Sequence, residues 1–367
     1  MAIAGGNITL DNTEGIDKIS QTDKVTSPYF SNGSVNLAAA NITRSLNITS
    51  TNQTYFEGIS NSSTPSTEEF NVAFGSLNGF GSDDDANAIK APTEVIYKQF
   101  ASMLLAPTEV TGGFLISSKG SAGKLTSRDN EIFILSTKRT NMKDRLNKGT
   151  WQLDFGGVKG ASGNGNVDAL YLKDDSVNNA PTSTPVGDRY NIVSCSSAGV
   201  IATEATVRNF GFFYPDMGVM VFSQQELSAS IPGSGSVDAT VLYNDDRYRG
   251  FHTSTTVNAN TKESLRFINS LKATGGNMKF RDEEDQVSAQ YFCRIRSGQM
   301  NFSNNPTFVS GSLNELRQST MKGNPNVFIT SVQLYNDAGD IVAVGNLSKP
   351  LKKNFSSEAT IKVKLTY

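Results

Sequence analysis

The stretch ITSVQLYNDAGDIVAVGNL, residues 329–347, decides how the chain is read. Two runs rich in β-branched and aliphatic residues flank the tetrapeptide 336–339, Asn-Asp-Ala-Gly. Gly339 can take the positive φ that a short loop between antiparallel strands needs. This predicts a β-hairpin. The chain then closes with ATIKVKLTY, residues 359–367. Ile361, Val363 and Leu365 fall on one face, and Lys362, Lys364 and Thr366 on the other. That alternation predicts a half-buried strand with a basic, solvated face. A small antiparallel sandwich over residues 301–367, with Leu334, Tyr335 and Val344 in its core, is the economical architecture.

Working outward, residues 69–300 read as a mainly-β central domain. EFNVAF alternates, with Phe70, Val72 and Phe74 on one face. One clear helix is predicted over 93–105, because Ile96, Phe100, Met103 and Leu104 share a stripe and Pro92 and Pro107 bound it. After it, GFLISS, NEIFILSTK, GTWQLDF, DALYLKD, RYNIVSC, DATVLYND and AQYFCRIR are strand candidates, separated by Gly/Ser/Asn/Pro clusters. FFYPDMGVMVF predicts a second hairpin with its turn at 215–218. QQELSAS and TKESLRFINSLKA predict short helices.

Residues 1–68 are mostly Ser, Thr, Asn and Gly, with scattered Val35, Leu37, Ile42, Leu46, Ile48, Tyr55 and Phe56. Such a segment buries too little apolar surface to offset its ordering entropy alone. It is expected to be an extended arm ordered by neighbouring subunits. The predicted fold class is therefore mainly β: antiparallel sandwich-like domains, one packed helix and an extended N-terminal arm.

Composition narrows the function classes. The net charge of −2 argues against a general nucleic-acid binder. The single histidine, His252, argues against histidine-based zinc sites and most general-base chemistry. Cys195 and Cys293 lack metal-site spacing and read as reduced thiols of a protein made in a cytosol. The start, MAIAGGNITL, has no basic n-region or long apolar core, and no run reaches membrane-spanning length. Without secretion, the Asn-x-Ser/Thr triplets at Asn41, Asn47, Asn52, Asn301 and Asn354 are compositional.

No motif carries chemistry. GSAGKLT, residues 120–126, has Ser118 where a phosphate loop needs glycine, and Leu125 where it needs Ser or Thr. Asp83, Asp84 and Asp85 lack the alternating spacing of a calcium loop. RDEEDQ, residues 281–286, pairs carboxylates without an aromatic subsite pattern and reads as a solvated acidic loop. GASGN, residues 160–164, misses the last glycine of a nucleophile elbow. Neither an enzyme nor a cofactor is expected.

The segment TSVQLYNDAGDIVAV, residues 330–344, resembles one common in tail-fibre and baseplate proteins of tailed bacteriophages. Gln333 departs from it, since glycine is usual there. FCRIRSGQMNFSNNPTFVSG, the segment from NPNVFITSVQ to the C-terminus, EEFNVAFGSLNGFGS and EVIYKQFASMLL resemble virion structural proteins of large contractile-tailed phages. The resemblance covers about half the chain, mostly its C-terminal third. It implies a virion structural protein, first at the baseplate, alternatively at the neck (collar) or in a receptor-binding fibre. It implies oligomeric contacts with other virion proteins, in the virion tail, with no membrane and no specific nucleic acid. It brings no catalytic residues. The expected interaction residues are Lys349, Lys352, Lys353, Lys362 and Lys364, the most basic stretch, with Tyr55 and Phe56 in the arm.

Overall fold

The computed structural model describes residues 10, 17–46, 56–79, 92–116, 128–156, 169–201, 209–227, 231 and 259–367. The chain divides into two units. One is Val25–Glu284; the other joins Met1–Lys24 to Asp285–Tyr367. In chain order the elements are β1 (Lys18–Pro28), β2 (Asn36–Ala38), β3 (Ile42–Leu46), β4 (Glu57–Asn61), β5 (Thr64–Ser76), α1 (Pro92–Leu104), β6 (Glu131–Thr137), β7 (Arg145–Leu146), β8 (Gln152–Phe155), β9 (Leu170–Asp174), β10 (Thr182–Thr184), β11 (Gly187–Cys195), β12 (Asn209–Tyr214), β13 (Val219–Ser223), α2 (Gln224–Leu227), α3 (Ala259–Lys272), β14 (Asn277–Lys279), β15 (Arg281–Ile295), β16 (Val309–Ser310), β17 (Glu315–Leu316), β18 (Val327–Tyr335), β19 (Ile341–Lys353) and β20 (Ala359–Thr366). The fold is mainly β and its sheets are antiparallel, as the turn-punctuated alternation predicts.

The larger unit is built on one sheet in the order β2-β14-β8-β9-β11-β12-β13-β6-β5-β4-β3, with β10 beside β11. Its two end strands, β2 and β3, are consecutive in sequence, joined by the single 3-10 turn Ala39–Asn41. That turn is tied to both ends: Ala39 N donates to Gly276 O at 3.0 Å, and Ser62 N donates to Asn41 O at 2.9 Å. The sheet therefore wraps back on itself. One continuous core lines its inner face, from Leu37, Ile42 and Ile59 through Phe133, Phe155 and Leu172 to Phe213 and Met278. Helix α3 supplies Phe267, Ile268 and Leu271 to that core. The Phe267 ring lies 5.4 Å from Phe133, 5.2 Å from Phe155 and 5.5 Å from Phe222. A helix packed against an inner sheet face is the arrangement that buries both apolar surfaces at once.

Strands β5, β6, β13 and β12 are buried on both faces. Outside them a second core gathers Ala73, Ile132, Ile134, Phe212, Tyr214 and Val221 under Ile96, Tyr97, Ala101 and Leu104 of α1. The predicted helix is found within one residue at each end, but Tyr97 and Ala101 are its most buried apolar positions beside Leu104, whereas Phe100 and Met103 are only partly buried. Tyr97 earns its place by polarity as well: its hydroxyl donates to Asp129 O at 2.6 Å and accepts from Phe114 N at 3.1 Å. The hairpin at 215–218 forms as predicted, with Gly218 at φ 63°.

Within β12, Gly211 sits between Ile192 of β11 and Phe222 of β13. A Cβ there would lie 2.1 Å from the Val221 carbonyl oxygen. Backbone on a central strand cannot step aside, so Gly211→Ala is expected to lower stability by about 2–3 kcal/mol. The shift in urea midpoint measures it; a loss below about 0.5 kcal/mol, the size of an ordinary surface change, would show that the sheet has room.

The smaller unit carries β15 flanked by β1 and β20. β20 pairs with β15 from Ser288↔Thr366 to Ile295↔Ala359, and Val287 and Tyr367 exchange both backbone hydrogen bonds at 2.9 Å. The lysine-rich ending is thus a strand zipped to its last residue. Ala359 and Ile361 are buried while Lys362 and Lys364 are exposed, the predicted alternation.

Four expectations are corrected. The described part of 1–68 is no arm. Tyr29, Phe30, Leu37, Ile42 and Ile59 lie in the inner core, and β2 to β4 complete the wrapped sheet. The segment cannot order itself, but strands far along the same chain supply its partners: Leu37 pairs with Met278. The division between units falls at 24/25 and 284/285, not at 68 and 300. The region 301–367 is no sandwich either. Tyr335 and Val344 are exposed, because β18 and β19 form a two-stranded sheet with no second layer among the described residues. Finally, two long helices pack on the sheet instead of one.

Candidate interaction surface

The hairpin β18–β19 of the smaller unit buries only Lys353. Its turn is as predicted: Gly339 has φ 88°, Asp340 N donates to Asn336 Oδ1 at 2.8 Å, and Asn336 N donates to Asp340 O at 3.0 Å. The strands pair from Val327↔Lys353 to Tyr335↔Ile341. Phe328, Tyr335, Ile341, Val342, Val344 and Leu351 are all exposed. A lone two-stranded hairpin is marginal in water, and this one leaves a large apolar surface open. Both outer edges are unpaired among the described residues.

The two edges differ. β19 carries Pro350, lysines at 349 and 352, and a bulge where its register jumps from Leu351 to Asn346 while β18 advances only from Ile329 to Ser331. Proline, charge and bulges are the devices that protect an edge from pairing. β18 has none of them: VFITSVQLY contains no charge and no proline.

At the base, asparagines brace the hairpin. Asn354 Nδ2 donates to Asn326 Oδ1 at 3.2 Å, and Phe355 N donates to Asn324 Oδ1 at 3.0 Å. Lys353 is wholly buried there, its ammonium donating to Ser297 O, Asn301 Oδ1 and Asn354 O at 2.8–2.9 Å. The expectation that Lys353 meets a partner is corrected: at the end of β19 its side chain turns inward. Lys349, Lys352, Lys362 and Lys364 are exposed, but on different sheets. Lys362 lies over the Phe292 ring, 5.9 Å from its centroid. Phe56 is half-buried against the outer core of the larger unit, and Tyr55 lies outside the described residues.

RDEEDQ forms the beginning of β15, not a loop. Asp282 pairs with Leu146 and Glu283 with Arg145 of β7, and both acids are buried. Arg145 Nε meets Glu283 Oε1 at 3.1 Å, and Lys143 meets Glu284 at 3.0 Å. Burial pushes the Asp282 carboxyl up to about 7; Lys143 opposes this and Glu284 adds to it. Its Oδ1 accepts no hydrogen bond among the described residues. Between about pH 4 and pH 7 the folded chain therefore holds a proton that the unfolded chain releases, and stability falls as pH rises through that window. Asp282→Asn is expected to raise stability by about 1–2 kcal/mol at about pH 8 and by nothing at about pH 4. Denaturation at the two pH values measures this; an equal effect at both would mean that charge burial is not the cause.

His252, Asp83 to Asp85, GSAGKLT and GASGN lie outside the described residues. Cys195 and Cys293 are free and half-buried. Among the described residues no group of three or more His, Cys, Asp or Glu could hold a metal ion, and no helix is long and apolar enough to cross a membrane.

Comparison adds no relative. No protein-family model, curated protein or solved structure matches this chain.

Proposed function

We propose that the chain is a structural subunit of a tailed-phage virion, working in the contractile tail and foremost at the baseplate, where its C-terminal hairpin is the joint to neighbouring subunits. The observation that carries this reading is the hairpin itself. It is braced at its base, open along both edges among the described residues, and lined with exposed aromatic and aliphatic side chains. A surface of that kind is satisfied by association. The resemblance of residues 330–344 to tail-fibre and baseplate segments falls on this same element.

Cryo-electron microscopy of the intact particle tests the reading. The chain is expected at the distal end of the tail, with 327–353 buried against protein. A position beside the portal or collar moves its task to head–tail joining. A hairpin standing free in solvent, or absence of the chain from the particle, overturns the proposal.

A further inference from the structure

We infer that β18 pairs edge to edge with β18 of a second copy of this chain, antiparallel about a two-fold axis at Ser331, making a four-stranded sheet from two hairpins. This deepens the proposed function and rests on its premise that the hairpin is a joint.

Three observations fix the occupant. The first is the asymmetry of the edges. Only β18 offers nine residues free of charge and proline, so an incoming strand meets no guard there. The second is how β18 fits itself. Full antiparallel overlap, centred on Ser331, sets Val327 opposite Tyr335, Phe328 opposite Leu334, Ile329 opposite Gln333 and Thr330 opposite Val332. Every such pair is apolar or neutral, which favours cross-strand contact and creates no like-charge pair.

The third is the placement of charge along the hairpin. Asp337 and Asp340 lie at the exposed tip. Lys322 and Lys352 are exposed at the base, Lys352 opposite Phe328 in the register. Between the ends β18 is uncharged. Antiparallel pairing brings each acidic tip beside the other copy's basic base. Parallel pairing would set acid against acid and lysine against lysine. A two-fold contact is also self-complementary and closes at two copies.

The test uses the full chain with Cys195 and Cys293 replaced by serine. Sedimentation over a concentration series is expected to show a monomer–dimer equilibrium, weakened at least tenfold by Val332→Lys. Ser331→Cys is expected to give a disulfide-linked dimer under mild oxidation, because facing strands hold equivalent Cα atoms within bridging distance at the axis. Tyr335→Cys, far from its own symmetry mate, is expected to give none. A monomer or a trimer throughout the series overturns the inference. So does a dimer that Tyr335→Cys cross-links as well as Ser331→Cys does. A monomer whose hairpin is nevertheless buried by another protein in the particle overturns the self-pairing and leaves the tail assignment standing.

Discussion

Replacing Trp151 by alanine is expected to cost about 3–5 kcal/mol, the range for emptying a fully buried aromatic site. Trp151 is completely inaccessible. It stacks on Phe280, with centroids 5.8 Å apart and planes within 4°, and meets Phe213 edge-on at 5.4 Å. Phe280 in turn touches Phe70, Tyr29 and Phe30, so the ring network ties strands from distant parts of the chain. Trp151 is the only tryptophan, so the variant must be followed by far-ultraviolet circular dichroism instead of fluorescence. Trp151→Phe should recover much of the loss by keeping a ring in place. A cost below about 1 kcal/mol for alanine would mean that the core collapses freely around the site, against its close packing.

The second large effect belongs to Lys353. Its three ammonium hydrogens match three oxygens, so the buried charge is fully hydrogen-bonded. Lys353→Met keeps the length and apolar stem but leaves those oxygens without their donor. An expected loss of about 2–4 kcal/mol follows for the unit that holds it. Hydrogen exchange should show faster exchange at 297–301 and at the hairpin base, while amides of the wrapped sheet keep their protection. Uniform loosening of both units would contradict the local role assigned here.

What could be read from the sequence was whatever depends on near neighbours. The turns at Gly218 and Gly339 were legible because each needs a particular backbone conformation at a particular residue. The alternation of β20 was legible because a half-buried strand writes its two faces directly into the chain. Partners were not legible. A period of two says that Leu37 faces inward but not that Met278 lies beside it. Nor does it say whether a second layer exists, which is why Tyr335 and Val344 were expected in a core and are found in solvent. Asp282 and Glu283 looked like a solvated run because charge density, read alone, hides strand pairing to Arg145 and Leu146. Counting lysines likewise gave Lys353 to the surface, when only the geometry of the hairpin base separates it from Lys352.

The turn Ala39–Asn41 has a consequence for how the chain is made. It joins the first and last strands of the wrapped sheet, yet the neighbour of β2 is β14, and β14 leaves the ribosome after all the other strands of that sheet. Until then β2 and β8 present open edges to solvent. Closing so long a loop late makes folding slow, and unfinished edges are where nascent chains associate wrongly. A ribosome that pauses before residue 277 therefore holds an unsealed sheet, and truncated products ending there should be the aggregating species in an expression culture.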